Sequence, residues 1–237
     1  MSTKGTYALL ISGNESRFAE GILKFQEFLL TQSNFNPRKI RVIFCNYLGN
    51  DYIIEETQLF FDKVRDEKPK ANVVIVYNGH GGKGSFWPNP VSLSYEEWVK
   101  LIDHHGKFIF INNSCYSGSA IEAFEKVGIL PKKGLVISSS KSDELSYGDY
   151  FLDTLLESYL NKQPFVPKEI GRTVYLMLEC DPNADNVIIM QNQGEMPKKV
   201  LNPKKFYEIP GQPRYYSDIQ HPIRSGENLD NLLFKSA

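Results

Sequence analysis

The chain has 237 residues, a formal net charge of -1 and 23% charged residues, a length that suits one α/β domain whose core is stable without disulfides or metals. Its mixed charge offers no basic stripe for a phosphate backbone and no acidic tail for a basic partner, so nucleic acid is not an expected ligand. Residues 1–5 are short and polar and no apolar run approaches membrane-spanning length, so the expectation is a soluble, cytoplasmic protein with neither signal peptide nor membrane partner.

Apolar runs rich in Val, Ile and aromatics at residues 7–12, 40–45, 73–77, 108–112, 135–138 and 187–190 predict six strands. Phe18, Ile22, Phe25 and Leu29 form a helical stripe after the first run, and Ile53, Thr57, Phe60 and Val64 form another after the second. Helical patterns over 98–102, 121–124, 151–160 and 170–177 keep the alternation. Strand and helix in turn imply βαβ crossovers, hence a three-layer α/β/α fold around a six-stranded, mostly parallel sheet covered on both faces. From Gln193 onward, Pro197, Pro203, Pro210, Pro213 and Pro222 punctuate a polar stretch. Residues 193–237 therefore read as an irregular C-terminal extension packed on a domain of residues 1–192.

In open α/β sheets, ligands bind beyond the carboxyl ends of the strands. The third run exits into Asn78-Gly79-His80-Gly81-Gly82-Lys83-Gly84-Ser85, where glycines let backbone N–H groups approach a ligand closely. The fourth exits into Asn113-Ser114-Cys115-Tyr116-Ser117-Gly118, just ahead of a helical pattern from Ser119. A cysteine near a helix N-terminus is favoured as thiolate, the form that attacks carbonyl carbon. If the two strands are neighbours, His80 and Cys115 meet as base and nucleophile. The N–H groups of Gly81 and Cys115 are the candidate oxyanion donors. No third, orienting carboxylate is evident in the local sequence, so a dyad is expected and a third member stays open.

The other candidates read more plainly. Cys45 lies in an apolar strand and Cys180 at a helix end beside Asp181-Pro182, both structural positions. His104 and His105 suit a charge interaction at a helix C-terminus, and His221 has no assigned role. Lys83 is followed by Gly84 rather than Ser or Thr, and Pro88 and Pro90 oppose a following helix, so the glycine run is not a phosphate loop. Neither a His-Glu-x-x-His helix nor a Cys-x-x-Cys pair is present, so no metal is expected. Calcium independence is expected as well, since no acidic loop of the EF-hand kind occurs.

A hydrophobic strand ending in His-Gly, followed by another ending in Cys, resembles the caspase, metacaspase, legumain and glycosylphosphatidylinositol-transamidase group of cysteine peptidases, over roughly residues 7–190. Residues 73–82 look like the histidine strand of that group and 108–118 like its cysteine strand, with Ser114-Cys115-Tyr116-Ser117-Gly118 nearest the metacaspase form. The resemblance implies the caspase-like fold, protein or peptide substrates and no cofactor, and it carries over His80 and Cys115 as catalytic residues. It also implies a pocket for the residue before the cut bond, at positions matching Arg17, Asn113, Ser139, Lys141 and Asp143.

Metacaspases carry Asp where Asn113 stands, and that carboxylate favours Arg or Lys in the substrate. Arg17 points the other way, toward a carboxylate or amide oxygen, as in caspases and legumains. The expected activity is thus a cysteine endopeptidase cutting after Asp or Asn. Alternatives are an Arg- or Lys-specific metacaspase-like protease, a transpeptidase using the same thioester, a hydrolase using Ser117, or a non-catalytic caspase-like module that binds protein partners. Residues 141–149 are polar and contain Gly148, which suits a loop cut or reordered on activation. The activation trigger, a regulatory partner or oligomer, and the role of the extension stay open.

Overall fold

The computed structural model describes residues 5–45, 49–88, 91–102, 106–128, 134–146, 150–165, 173–176, 214–217, 222–226 and 229–233. The first half of the chain runs β1 (Thr6–Ser12), α1 (Ser16–Thr31), β2 (Phe35–Phe44), α2 (Asn50–Glu67) and β3 (Asn72–Asn78). Three short antiparallel strands follow, β4 (His80–Gly82), β5 (Ser85–Trp87) and β6 (Leu93–Ser94), and then α3 (Tyr95–Val99). The remainder is β7 (Phe108–Asn113), α4 (Ser119–Lys126), β8 (Gly134–Ser138), α5 (Tyr150–Leu160), β9 (Thr173–Leu176), β10 (Arg214–Ser217), β11 (Ile223–Gly226) and a 3-10 turn at Asp230–Leu232.

Six strands form one sheet in the order β11-β8-β7-β3-β1-β2, parallel throughout except for β11, which runs antiparallel to β8. Side chains alternate across it with the period of two that extended backbone imposes. Leu9, Ile11, Val73, Ile75 and Phe110 meet α2, α3 and α4 through Phe60, Phe61, Val64, Trp98 and Phe124 on one face. Leu10, Val74, Val76, Ile109 and Ile137 meet α1 and α5 through Ile22, Phe25, Leu29, Leu152 and Leu155 on the other. Burying each such side chain contributes about 1.5–3 kcal/mol. These are the three layers and the mostly parallel six-stranded sheet that the periodicity implied. No helix among the described residues is long and apolar enough to cross a membrane.

Five of the six strands coincide with the apolar runs. The sixth does not: the predicted strand at 187–190 lies outside the described residues, and the sheet is completed by β11. That strand belongs to the stretch read as an irregular extension, so part of 193–237 is regular sheet rather than irregular coil. Ile-Arg-Ser-Gly is too short and too polar to register as a buried strand, yet an edge position asks for only one paired side. A second correction falls at 170–177, read as helical, where Thr173–Leu176 is a strand paired antiparallel with β10. Thr, Val and Tyr in succession are strand formers, and ladder partners decided the outcome.

At the carboxyl ends of the central strands the loops after β1 and β3 touch. A Cβ on Gly13 would lie 3.0 Å from the Cα of Gly79, so this approach needs two residues without side chains. The amide of Gly13 donates to the Asn78 carbonyl at 2.7 Å, and that of Gly79 to the Asn113 carbonyl at 3.1 Å. The turns after β1, β3 and β7 are thereby joined into one surface.

Candidate active site

Strands β3 and β7 are hydrogen-bonded neighbours, with Asn78 opposite Asn113. His80 and Cys115 each stand two residues beyond this pair, so the register alone brings their loops together. Contact is close: a Cβ on Gly81 would collide with the Cys115 carbonyl and lie 2.6 Å from Ser114 Oγ. Gly81 is thus held against the cysteine loop by its lack of a side chain.

The loop turns sharply into α4. Tyr116 adopts φ 56, in the left-handed region, and its amide donates to the Glu144 carbonyl at 2.7 Å. Ser119 Oγ donates to the Tyr116 carbonyl at 2.7 Å as α4 begins. Cys115 is half-buried, and its thiol donates to the Ser146 carbonyl at 3.5 Å. Beneath it, Ser114 Oγ donates to Asn112 Oδ1 at 3.0 Å, and Asn112 Nδ2 donates to the Tyr95 hydroxyl at 2.8 Å. Tyr95 is fully buried, and burial pushes its phenol up to about 12, so it stays neutral in this floor of hydrogen bonds.

His80 is oriented from three sides. Its carbonyl accepts from the Tyr77 hydroxyl at 2.7 Å, its ring meets Phe18 edge-on at 4.9 Å, and its Nε2 contacts Glu15 Oε1. The other oxygen of Glu15 accepts from Arg17 Nε at 2.6 Å. The hydrogen bond with His80, and after it Arg17, hold the Glu15 carboxyl below its ordinary value. An ionised carboxylate can only accept, so the proton of a neutral imidazole sits on Nε2 and the lone pair on Nδ1.

Glu15 is missing from the candidates read from sequence. Its signal was available: it follows the carboxyl end of β1, in the same loop as Arg17, and β1 is the other neighbour of β3. Finding it requires knowing that β3 is flanked by both β1 and β7.

The residues expected to line a substrate pocket divide into two groups. Arg17 and Lys141 have half-exposed side chains, and Asp143 is exposed. Arg17 lies with its guanidinium 4.7 Å above the Phe18 ring, and Lys141 pairs with Glu144 at 3.2 Å. Asn113 and Ser139 are buried and engaged. Asn113 donates to Asn78 Oδ1 at 2.8 Å and accepts from Ser146 Oγ at 3.2 Å. Ser139 Oγ accepts from the Ser114 amide and reaches the Ser114 carbonyl, both at 3.2 Å. As arranged here, both hold the cysteine loop in place rather than face an incoming chain.

Ser117 is fully buried, with Oγ 3.2 Å from the hydroxyls of both Ser139 and Ser140. This removes the serine-hydrolase alternative, because a nucleophile must be reachable. Cys45 is also fully buried, and burial pushes its thiol up to about 12, consistent with a structural role. Cys180, His104, His105, His221 and Gly148 lie outside the described residues. Among the described residues no three His, Cys, Asp or Glu side chains gather as metal ligands.

Comparison with known proteins adds a family. Residues 31–168, more than half of the chain, match the sequence model of the Peptidase C13 family. No curated protein matches the chain. Among solved structures, a secreted C11 cysteine protease from Bacteroides thetaiotaomicron is similar at TM-score 0.39 and 12% identity, over 65% of this chain and 53% of that one. Caspase-1 from Spodoptera frugiperda is similar at TM-score 0.45 and 12% identity, over 66% and 69%. Raptor from Chaetomium thermophilum is similar at TM-score 0.40 and 16% identity, over 60% and 16%. The similarity thus spans about half the length of the bacteroidal protease.

Proposed function

The chain belongs to the Peptidase C13 family, and from that premise we propose that it is a cysteine endopeptidase with Cys115 as nucleophile and His80 as its base. The observation that supports this reading is the contact of Gly81 with the Cys115 loop, which sets the loop carrying His80 against the loop carrying Cys115 at neighbouring strand ends. The thiol gives its proton to His80 Nδ1, the sulfur attacks the peptide carbonyl, and the imidazolium returns the proton to the leaving amine. Water then hydrolyses the thioester. The amides of Gly81 and Cys115 stand as the donors for the oxyanion. Substrate entry must first displace the Ser146 carbonyl from Sγ, so the segment following β8 gates the nucleophile.

For the residue before the cut we propose Asp or Asn. Arg17 Nε is taken by Glu15, which leaves the two terminal nitrogens of a half-exposed guanidinium for a carboxylate or amide oxygen. Peptidyl fluoromethyl ketones bearing Asp, Asn, Arg or Lys test both parts. Labelling of wild type at Cys115, lost in Cys115→Ala and weakened in His80→Ala, is the expected result, with the Asp or Asn probe fastest. Fastest labelling by Arg or Lys would reverse the specificity, and no labelling by any probe would favour a partner-binding module.

Glu15 enters this mechanism as a positioning residue that fixes the tautomer of His80. Glu15→Gln keeps the shape but can hydrogen-bond either tautomer, so kcat is expected to fall about 10- to 100-fold, the range for orienting partners of functional imidazoles, with KM little changed. The lowered Glu15 carboxyl has a consequence for pH. Its interaction is fully present above the ordinary carboxylate range and is lost only as pH falls through the lowered folded value. The wild-type pH profile should therefore show no loss attributable to Glu15 until pH drops below that range. A rise of KM with kcat unchanged in Glu15→Gln would remove the tautomer role.

A further inference from the structure

We propose that Trp87 selects the residue on the leaving-amine side of the cut bond, favouring a bulky apolar or aromatic side chain there. This deepens the peptidase reading and rests on it. The imidazole that protonates the leaving amine must lie beside it, so the first substrate residue after the cut is placed against the surface next to His80. That surface is the β4–β5 hairpin. His80 and Trp87 are directly opposed in its antiparallel register, which puts both side chains on the same face with Cβ atoms about 5 Å apart.

The indole is seated there by several features. Its Nε1 donates to Ser85 Oγ at 3.1 Å, and it lies over Gly82, where a Cβ would come within 2.8 Å of the ring. Phe86, the intervening residue on the opposite face, is buried against Tyr77, Tyr95 and Trp98 at ring separations of 4.7, 5.4 and 5.3 Å. That anchor fixes which face of the hairpin is outward, so Trp87 cannot turn into the core. A tryptophan 43% exposed, held flat by one hydrogen bond and a glycine beside the base, is a platform for stacking. Its polar edge is already satisfied, and what it offers a ligand is apolar ring.

The test is digestion of a proteome-derived peptide library with wild type, Trp87→Ala, Trp87→Phe and Gly82→Ala, reading the new N-termini by mass spectrometry. Labelling by a peptidyl fluoromethyl ketone, which has no residue beyond the cut, confirms in parallel that each variant is folded around Cys115. Wild type should enrich Phe, Tyr, Trp, Leu and Met as the new N-terminal residue. In Trp87→Ala, cleavage before those residues should fall about tenfold relative to cleavage before Gly, Ser or Asp, the scale of losing an apolar contact in a specificity pocket. Trp87→Phe should keep most of the preference, and Gly82→Ala, which displaces the indole without removing it, should weaken it. An identical N-terminal profile in wild type and Trp87→Ala overturns the assignment while leaving the peptidase reading intact. Absence of both cleavage and labelling overturns both.

Discussion

Replacing Cys115 by alanine should lower peptide hydrolysis by at least about 10,000-fold, since removing the nucleophile of a coupled set abolishes nearly all that the set supplies. His80→Ala should cost about 1,000-fold, within the range that a positioned general base contributes. The double variant should be hardly worse than Cys115→Ala alone, as residues acting on one proton are not additive. Steady-state rates on peptides cut by wild type, with thermal unfolding as a check on folding, measure all three. Cys115→Ser is informative in the same series. Ser117 is buried in a cluster with Ser139 and Ser140, so its hydroxyl cannot take over as nucleophile. Retention of more than about a hundredth of the wild-type rate in Cys115→Ala would place the chemistry elsewhere.

The largest effect on stability is expected at Asp230. Its carboxylate is 1% exposed and accepts from the Tyr159 hydroxyl at 3.1 Å, the Phe165 amide at 3.2 Å and Arg224 Nη2 at 2.7 Å. Arg224 lies on β11 and also donates to the Phe165 carbonyl at 2.7 Å. One carboxylate therefore ties the edge strand of the sheet to the end of α5. Burial first, and then the charge of Asp230, push the Tyr159 phenol well above its ordinary value, so it remains a donor at any pH at which the protein is handled. Asp230→Ala leaves these donors facing an apolar void and should destabilise the fold by about 3–5 kcal/mol, the usual result of removing one partner of a buried pair. Urea unfolding should show the midpoint falling with an unchanged slope. Replacing Arg224 and Asp230 together by apolar residues should cost less than the sum of the two single changes. A loss below about 1 kcal/mol in Asp230→Ala would mean that β11 is held by its ladder with β8 alone.

Much of the candidate site is legible in the sequence. Each apolar run of five strands announces itself by composition within a few residues, and the residues that follow it are by construction at the edge of the sheet. His80 and Cys115 are read as candidates in that way, and that their loops are neighbours needs only that consecutive parallel strands pair, which β3 and β7 do. Trp87 and Glu15 are not legible in that way, although Glu15 lies in the loop after β1 and Trp87 on β5 of the hairpin that follows β3. Trp87 matters because hairpin register sets it opposite His80, and register is decided by the turn and by Phe86 entering the core. Glu15 matters because β3 lies between β1 and β7, a topological fact with no local trace.

The sequence by itself determined the layers, five of the six sheet strands and the two neighbouring strand ends that carry His80 and Cys115. Those are consequences of side-chain periodicity and of glycine, which act over spans of a few residues. Tertiary structure alone decided that Ile223–Gly226 closes the sheet beside β8, that Asn113 and Ser139 are buried supports, and that Glu15 reaches His80 across 65 positions of chain. The physical reason is common to all three. Each depends on which polar groups, far apart in sequence, are left without water once the apolar faces have closed, and a buried polar group takes whatever partner the packing brings within reach.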